Sequence, residues 1–127
     1  MKKSIGILVM GQSPRPEITA QFQRLLPDVT LVQRGCLDGL SREAIDGLAP
    51  VGDETTLFTR LPDGSAVKLS KAAVIRHGEA QLDALEKAGT TLTIVLCTGE
   101  FPAWQGRNLL LPSNILRHFV MAAKPSG

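Results

Sequence analysis

Short apolar runs rich in β-branched residues recur along the chain, and they predict the buried strands of a parallel sheet. These runs are Ser4 to Met10, Val29 to Arg34, Thr91 to Leu96 and Leu109 to Leu111. Two further runs flank the turn sequence Pro62-Asp63-Gly64-Ser65 and predict a β-hairpin. They are Thr55 to Leu61 and Ala66 to Leu69.

Stretches with apolar residues at helical spacing separate these strands. Four helices are predicted, and they begin at or just after Pro16, Ser41, Ser70 and Pro112. The first carries one apolar stripe, which consists of Ile18, Phe22, Leu25 and Leu26. The second is predicted to end at Pro50, and the third runs to about Ala88, where Gly89 closes it.

The alternation of strands and helices predicts one α/β domain over residues 1–127, with a mostly parallel, doubly wound, flavodoxin-like sheet and an inserted β-hairpin. The last predicted helix leads into Lys124-Pro125-Ser126-Gly127. In a fold of this kind such a helix normally leads into another strand. We therefore expect either a truncated chain or the N-terminal portion of a longer protein.

The composition narrows the functions that fit this fold. The chain is 43% hydrophobic and 20% charged, and its formal charge of +2 is too small to favour nucleic acid or an acidic membrane surface. No run approaches the ~20 apolar residues that cross a bilayer. The two cysteines have no spacing typical of a disulfide framework or a zinc site, so a reducing cytoplasm is expected. No motif implies a metal or an organic cofactor.

Polar residues follow the first strand, where the carboxyl ends of parallel strands form a ligand crevice. Gly11, Gln12, Ser13 and Arg15 offer backbone amides, a carboxamide, a hydroxyl and a guanidinium just before a helix. These groups suit a carboxylate or a phosphate. The alternative interpretation is a tight strand-to-helix turn with a solvated arginine.

Two cysteines also follow predicted strands. Cys97 precedes Thr98 and Gly99, whose backbone amides would lower the pKa of its thiol, whereas Glu100 would raise it. Cys97 is therefore a candidate nucleophile or proton-transfer base, and the alternative is a small buried hydrophobe at a strand end. For Cys36, which has Asp38 as a candidate polar partner, we favour a packing or loop role. If the strands before the two cysteines flank the first strand, their ends lie ~10 Å apart.

Five blocks stand out in order along the chain: Ile7 to Glu17, Gly35 to Ser41, Thr59 to Gly64, Val67 to Ser70 and Leu96 to Phe101. Together they resemble the AroM family, and the resemblance covers nearly the whole chain. The AroM family is in turn distantly similar to the aspartate/glutamate/hydantoin racemase superfamily. Proteins of that superfamily have two α/β halves with a ligand cleft between them.

The resemblance implies that this chain corresponds to the N-terminal half of a racemase-like protein. Cys97 with Thr98 stands where the amino-acid racemases have the first of two catalytic cysteines, and Gly11 to Ser13 match the first substrate loop. The match is approximate, because this chain has Cys-Thr-Gly where racemases favour Cys-Asn-Thr. The second racemase cysteine belongs to the other half.

Two functions follow from the resemblance. The first is a cleft that binds a small carboxylate metabolite, with Cys97 as a proton-transfer base in a cofactor-independent racemase or isomerase. Thr98 and Gly99 would hold the carboxylate, and Gln12, Ser13 and Arg15 the opposite polar end. The second is a non-catalytic binding or regulatory domain, which the family name links to aromatic amino-acid metabolism; the absence of a visible second base favours it. Pairing of two copies as a homo-oligomer would rebuild the cleft in either case.

Overall fold

The computed structural model describes residues 3–53, 55–97, 101–104 and 106–111. Six strands and three helices alternate along them, together with one 3₁₀ turn at Pro102–Trp104. In chain order they are β1 (Lys3–Val9), α1 (Pro16–Leu25), β2 (Val29–Gly35), α2 (Arg42–Asp46), β3 (Thr56–Arg60), β4 (Ala66–Ser70), α3 (Lys71–Lys87), β5 (Leu92–Leu96) and β6 (Leu109–Leu110). The helix predicted after Pro112 lies outside the described residues.

Four strands form one sheet in the order β2-β1-β5-β6, and each neighbouring pair is parallel. The central strand β1 contains Ile7 and Leu8, which are fully buried, because it has a neighbour on both sides. Gly6 in β1 is required by close packing: a Cβ there would lie 2.7 Å from Thr93 Oγ1 and 3.2 Å from the Leu85 side chain. The predicted α/β fold with a mostly parallel sheet is thus confirmed.

The strand order reverses direction at β1. The chain leaves β1 and forms β2 on one side, and it later returns to form β5 on the other side. The carboxyl ends of β1, β2 and β5 therefore lie at one edge of the sheet. Ligands bind at such a point of reversal in open α/β sheets.

The predicted hairpin is confirmed as a separate antiparallel sheet of β3 and β4, inserted between α2 and α3. It packs over the loop that follows β1, since a Cβ on Gly11 would lie 2.9 Å from Thr59 Oγ1. The Ser70 amide also donates to the Leu48 carbonyl at 2.7 Å. The hairpin thereby lies against the end of the main sheet at which the polar loops gather.

The three helices differ in how deeply they pack. Helix α3 is capped by Ser70, whose hydroxyl accepts from the Ala73 amide, and its Leu82 and Leu85 are almost fully buried. Helix α1 has no buried residue, and Leu25 is 78% exposed, outside the packed face. Among the described helices, none has the length and apolar character needed to cross a membrane.

Helix α2 is shorter than predicted. It begins at the predicted cap, Ser41, but ends at Asp46 rather than at Pro50. The next amides bond back three residues, from Leu48 to Ile45 and from Ala49 to Asp46, so the chain tightens into turns. A glycine at position 47 lowers the helical preference at that point.

Candidate functional site

Two loops meet at the carboxyl edge of the sheet, and backbone hydrogen bonds join them. The Cys36 amide donates to the Val9 carbonyl at 3.0 Å, and the Leu37 amide donates to the Gly11 carbonyl at 3.0 Å. The loop after β2 therefore continues the pairing of its strand with β1. Cys97 lies directly after β5, at the carboxyl end of that strand.

A single carboxylate, that of Asp38, organises these two loops. It accepts from the Ser13 amide at 2.7 Å, from the Gly35 amide at 2.8 Å, and from the Ser13 hydroxyl. Gly35 permits this approach, because a Cβ there would lie 2.5 Å from the Gly11 carbonyl oxygen and 2.8 Å from the Ser13 nitrogen. The sequence indicated Asp38 only as a polar partner for Cys36. An aspartate three residues after a strand-end glycine is the signal that was available.

Gln12 reaches from the β1 loop to the β2 loop. Its Nε2 donates to the Leu37 and Leu40 carbonyls at 3.4 and 3.3 Å. The loop after β1 thus contains Gly11, Gln12 and Ser13, as predicted. Some of their hydrogen-bonding groups contact other parts of the protein and are not free for a ligand. The Ser13 hydroxyl keeps an accepting oxygen after donating to Asp38.

Arg15 lies at the start of α1, 29% exposed. Its Nε donates to Glu17 Oε1 at 2.6 Å, and its backbone amide donates to Gln33 Oε1 at 2.8 Å. The hydrogen bond from Arg15 is the main reason that the pKa of Glu17 lies below its ordinary value. The predicted anion-binding guanidinium therefore has a carboxylate of the chain itself beside it.

The two cysteines occupy different environments at this edge. Cys36 is 1% exposed, and burial raises the pKa of its thiol to about 12, with Asp38 and Cys97 adding to the rise. Cys97 is half-buried against the core, and its amide donates to the Val95 carbonyl at 3.0 Å. Thr98 and Gly99, the predicted carboxylate-binding residues, lie outside the described residues. Because β2 and β5 lie on opposite sides of β1, the two cysteines follow strands that are separated by one strand.

An aromatic pair packs beside Cys36, and the sequence did not predict it. The rings of Phe101 and Trp104 stack with centroids 4.5 Å apart, and Lys71 Nζ lies 5.1 Å from the Phe101 centroid. Both rings are almost fully buried. Gly78 makes room for them: a Cβ there would lie 2.7 Å from the Trp104 ring and 3.0 Å from Cys36 Sγ. Cys36 therefore belongs to the packed core, as the sequence favoured.

Within the ranges that the structure describes, no group of three or more His, Cys, Asp or Glu side chains is placed to hold a metal ion. A scan against protein-family models matched the family described as AroM protein over residues 5–127. Comparison with curated proteins and with solved structures gave no match.

Proposed function

The chain belongs to the AroM family, and on that premise we propose that the carboxyl edge of its parallel sheet binds a small carboxylate metabolite. The proposal includes the finer form of the fold, a flavodoxin-like half of a racemase-like cleft, in a cytoplasmic protein. The observation that carries it is the strand order β2-β1-β5, because this order brings the loop of Gly11 to Arg15 and the thiol of Cys97 to one edge.

The loop after β1 supplies the polar groups of the proposed site. Arg15 and Ser13 lie at the point where α1 begins, and both retain capacity for a ligand. A ligand carboxylate would replace Glu17 on the Arg15 guanidinium, which is an exchange of one exposed ion pair for another. Gly11 and Gln12 complete this side, and the Thr98 and Gly99 amides are proposed for the other.

Cys97 is the proposed proton-transfer base. Of the two cysteines, it is the one whose side chain is not sealed in the core. The Cys97 thiolate would take the proton on the carbon next to the carboxylate, and the resulting thiol, after exchange with solvent, would return a proton to the same carbon. Cys36 does not serve as the opposing base, because its thiol is buried and protonated at neutral pH.

A non-catalytic binding or regulatory domain is the second candidate function. The observation that favours it is the amount of internal bonding: the Ser13 hydroxyl and the Arg15 Nε both donate to carboxylates of the chain. Under this proposal the same edge binds the metabolite and Cys97 is a packing residue.

In the enzymatic case, inversion at carbon needs a second base on the opposite face of the substrate. We propose that a second copy of the chain supplies this base when two copies pair.

Two measurements test these functions. First, ¹H–¹⁵N spectra are recorded during titration with small mono- and dicarboxylates, and shifts confined to residues 11–15 and near 97 are expected. Second, each bound carboxylate is incubated with the protein in D₂O, and deuterium at the carbon next to the carboxylate is measured. Exchange that is lost in Cys97→Ser but kept in Cys36→Ala supports the enzyme. Binding without exchange supports the binding domain, and no binding of any carboxylate refutes both.

A further inference from the structure

A pocket of about 240 Å³ lies beside the carboxyl edge, between the loop after β1, helix α2 and the hairpin turn. Ile45 and Leu61 form an apolar floor, and they are 2% and 6% exposed. The volume is a little below the ~300 Å³ at which typical small-molecule pockets begin. The pocket therefore fits one end of a small metabolite rather than a whole organic cofactor. Its lining residues are Gln12, Arg42, Ile45, Leu61, Pro62 and Asp63.

Asp63 provides an ionised acceptor on the wall of this pocket. Its Oδ1 accepts from the Ser65 amide at 2.9 Å and from the Ser65 hydroxyl at 2.6 Å. These hydrogen bonds are the main reason that the pKa of Asp63 lies below its ordinary value. Its Oδ2 lies 3.8 Å from Arg42 Nη1, beyond hydrogen-bond distance, and so retains room for a donor.

Arg42 lies between helix α2 and the hairpin turn, and two of its five N–H groups make hydrogen bonds there. Its Nε donates to Asp46 Oδ1 at 3.1 Å within α2, and its Nη1 donates to Ser65 Oγ at 2.9 Å, which ties α2 to the hairpin turn. Two carboxylates, those of Asp46 and Asp63, lie around this one guanidinium, so the local charge does not favour a further anion.

Gln12 connects the pocket to the proposed carboxylate site. Its Nε2 is directed to the Leu37 and Leu40 carbonyls, which leaves Oε1 as its remaining polar atom. In the part of the chain that the structure describes, Oε1 has no hydrogen-bond partner. The free hydrogen-bonding positions of Gln12 and Asp63 are thus both acceptors, and acceptors select a ligand that donates.

We infer that this pocket binds the hydrogen-bond-donating end, a hydroxyl or an ammonium group, of the small carboxylate that binds at the carboxyl edge. Asp63 is the residue that determines this specificity. The inference rests on the proposed function for the other end of the ligand. It adds the substrate class: a carboxylate that also carries a hydroxyl or amino donor.

Three four-carbon monocarboxylates that differ only at the end away from the carboxylate provide the test: butyrate, 4-hydroxybutyrate and 4-aminobutyrate. Affinities are measured by ¹H–¹⁵N titration with the wild-type chain, with Asp63→Asn, and with Asp28→Asn, which changes an exposed aspartate just before β2, at the opposite edge of the sheet. The hydroxyl or amino compound is expected to bind at least about tenfold more tightly than butyrate, because a donor to an ionised carboxylate makes a strong hydrogen bond.

The variants separate the two kinds of donor. Asp63→Asn is expected to remove the preference and to leave the butyrate affinity unchanged, while Asp28→Asn keeps both. A larger loss for 4-aminobutyrate than for 4-hydroxybutyrate identifies an ammonium, and the reverse identifies a hydroxyl. Asparagine retains an oxygen that accepts from Ser65, so the hairpin turn survives, and the wild-type comparison stands even where the variant is unstable.

Other outcomes separate this inference from the proposed function. Equal affinities for the three monocarboxylates, with shifts confined to residues 11–15, overturn the inference and leave the proposed function standing. Erythritol, a polyol without a carboxylate, is the fourth probe. If it shifts the Asp63 and Ser65 amides while no carboxylate binds, the pocket is supported and the proposed function fails. No shift with any probe overturns both.

Discussion

A cysteine follows each of the two strands that flank β1, but the surroundings of the two cysteines differ. On the β2 side, Cys36 is 1% exposed, its thiol has a pKa raised to about 12, and the Asp38 carboxylate ties the neighbouring loops together. On the β5 side, Cys97 is half-buried directly after β5. A cysteine after a parallel strand is therefore a structural residue or a candidate for chemistry according to what covers it. Hydrogen bonds to Asp38 hold the loops on the β2 side in place, whereas the proposed chemistry belongs to Cys97 on the β5 side.

Asp38→Ala is expected to produce the largest loss of stability, because it removes the carboxylate that joins the loops after β1 and β2. The Ser13 and Gly35 amides would lose a charged acceptor, and the expected loss of unfolding free energy is about 3 kcal/mol. Urea denaturation measures it. The matched control is Asp28→Ala, an exposed aspartate before β2, for which a change below about 0.5 kcal/mol is expected. Similar losses in the two variants would show that Asp38 does not organise the loops.

The pH dependence of stability sharpens the contrast between the cysteines. Because the pKa of Cys36 is raised to about 12 in the folded chain, the unfolded chain releases this proton first, near its ordinary pKa of ~8.5. The contribution of Cys36 to the free energy of unfolding is fully present below that pH. It falls as the pH rises toward 12, by at most about 1.4 kcal/mol per pH unit.

Urea denaturation at pH 8, 9 and 10 measures this slope. Cys36→Ala is expected to flatten it, whereas Cys97→Ala keeps it, because Cys36 is still present. A slope that is the same in Cys36→Ala and in the wild-type chain would contradict the burial of this thiol in solution.

The smallest effect on stability is expected at Arg15, on the exposed surface of the site. Arg15→Gln removes the main cause of the lowered Glu17 pKa, so that pKa should rise toward its ordinary value, with no measurable change in unfolding. A carboxyl-detected NMR titration measures the pKa. Arg24→Gln, in the last turn of α1, is the control and should leave Glu17 unchanged. If Arg15 also binds the metabolite, Arg15→Gln alone weakens carboxylate binding.

The elements of the main sheet were predictable because their signals are local. Continuous β-branched runs marked β1, β2 and β5, the Pro-Asp-Gly-Ser turn marked the hairpin, and Ser70 with Gly89 marked the two ends of α3. The end of α2 was predicted too late. Gly47 is a local signal where the helix ends, but the hydrogen bond from the Ser70 amide to the Leu48 carbonyl has no local signal.

The candidate site was only partly predictable, because its organisation depends on residues distant in sequence. Asp38 acts through Ser13, which lies 25 positions away, and no periodic pattern signals that contact. Trp104 is buried against Gly78 of α3, and the sequence around the tryptophan gives no sign of that contact. Sequence patterns identified which loops lie at the same edge of the sheet. The hydrogen bonds between side chains of those loops could not be predicted from the sequence.

The position of β1 in the sheet has a consequence for synthesis of the chain on the ribosome. Its first neighbour, β2, is made soon after it, but the Ser4 carbonyl accepts from Thr91, which is 87 positions later. Pairing over such a distance slows folding, because a long loop must close first. One side of the nascent β1 thus waits unpaired while most of the domain is translated. Helix α3, made in the interval and packed against Gly6 through Leu85, is the element positioned to cover its apolar surface until β5 emerges.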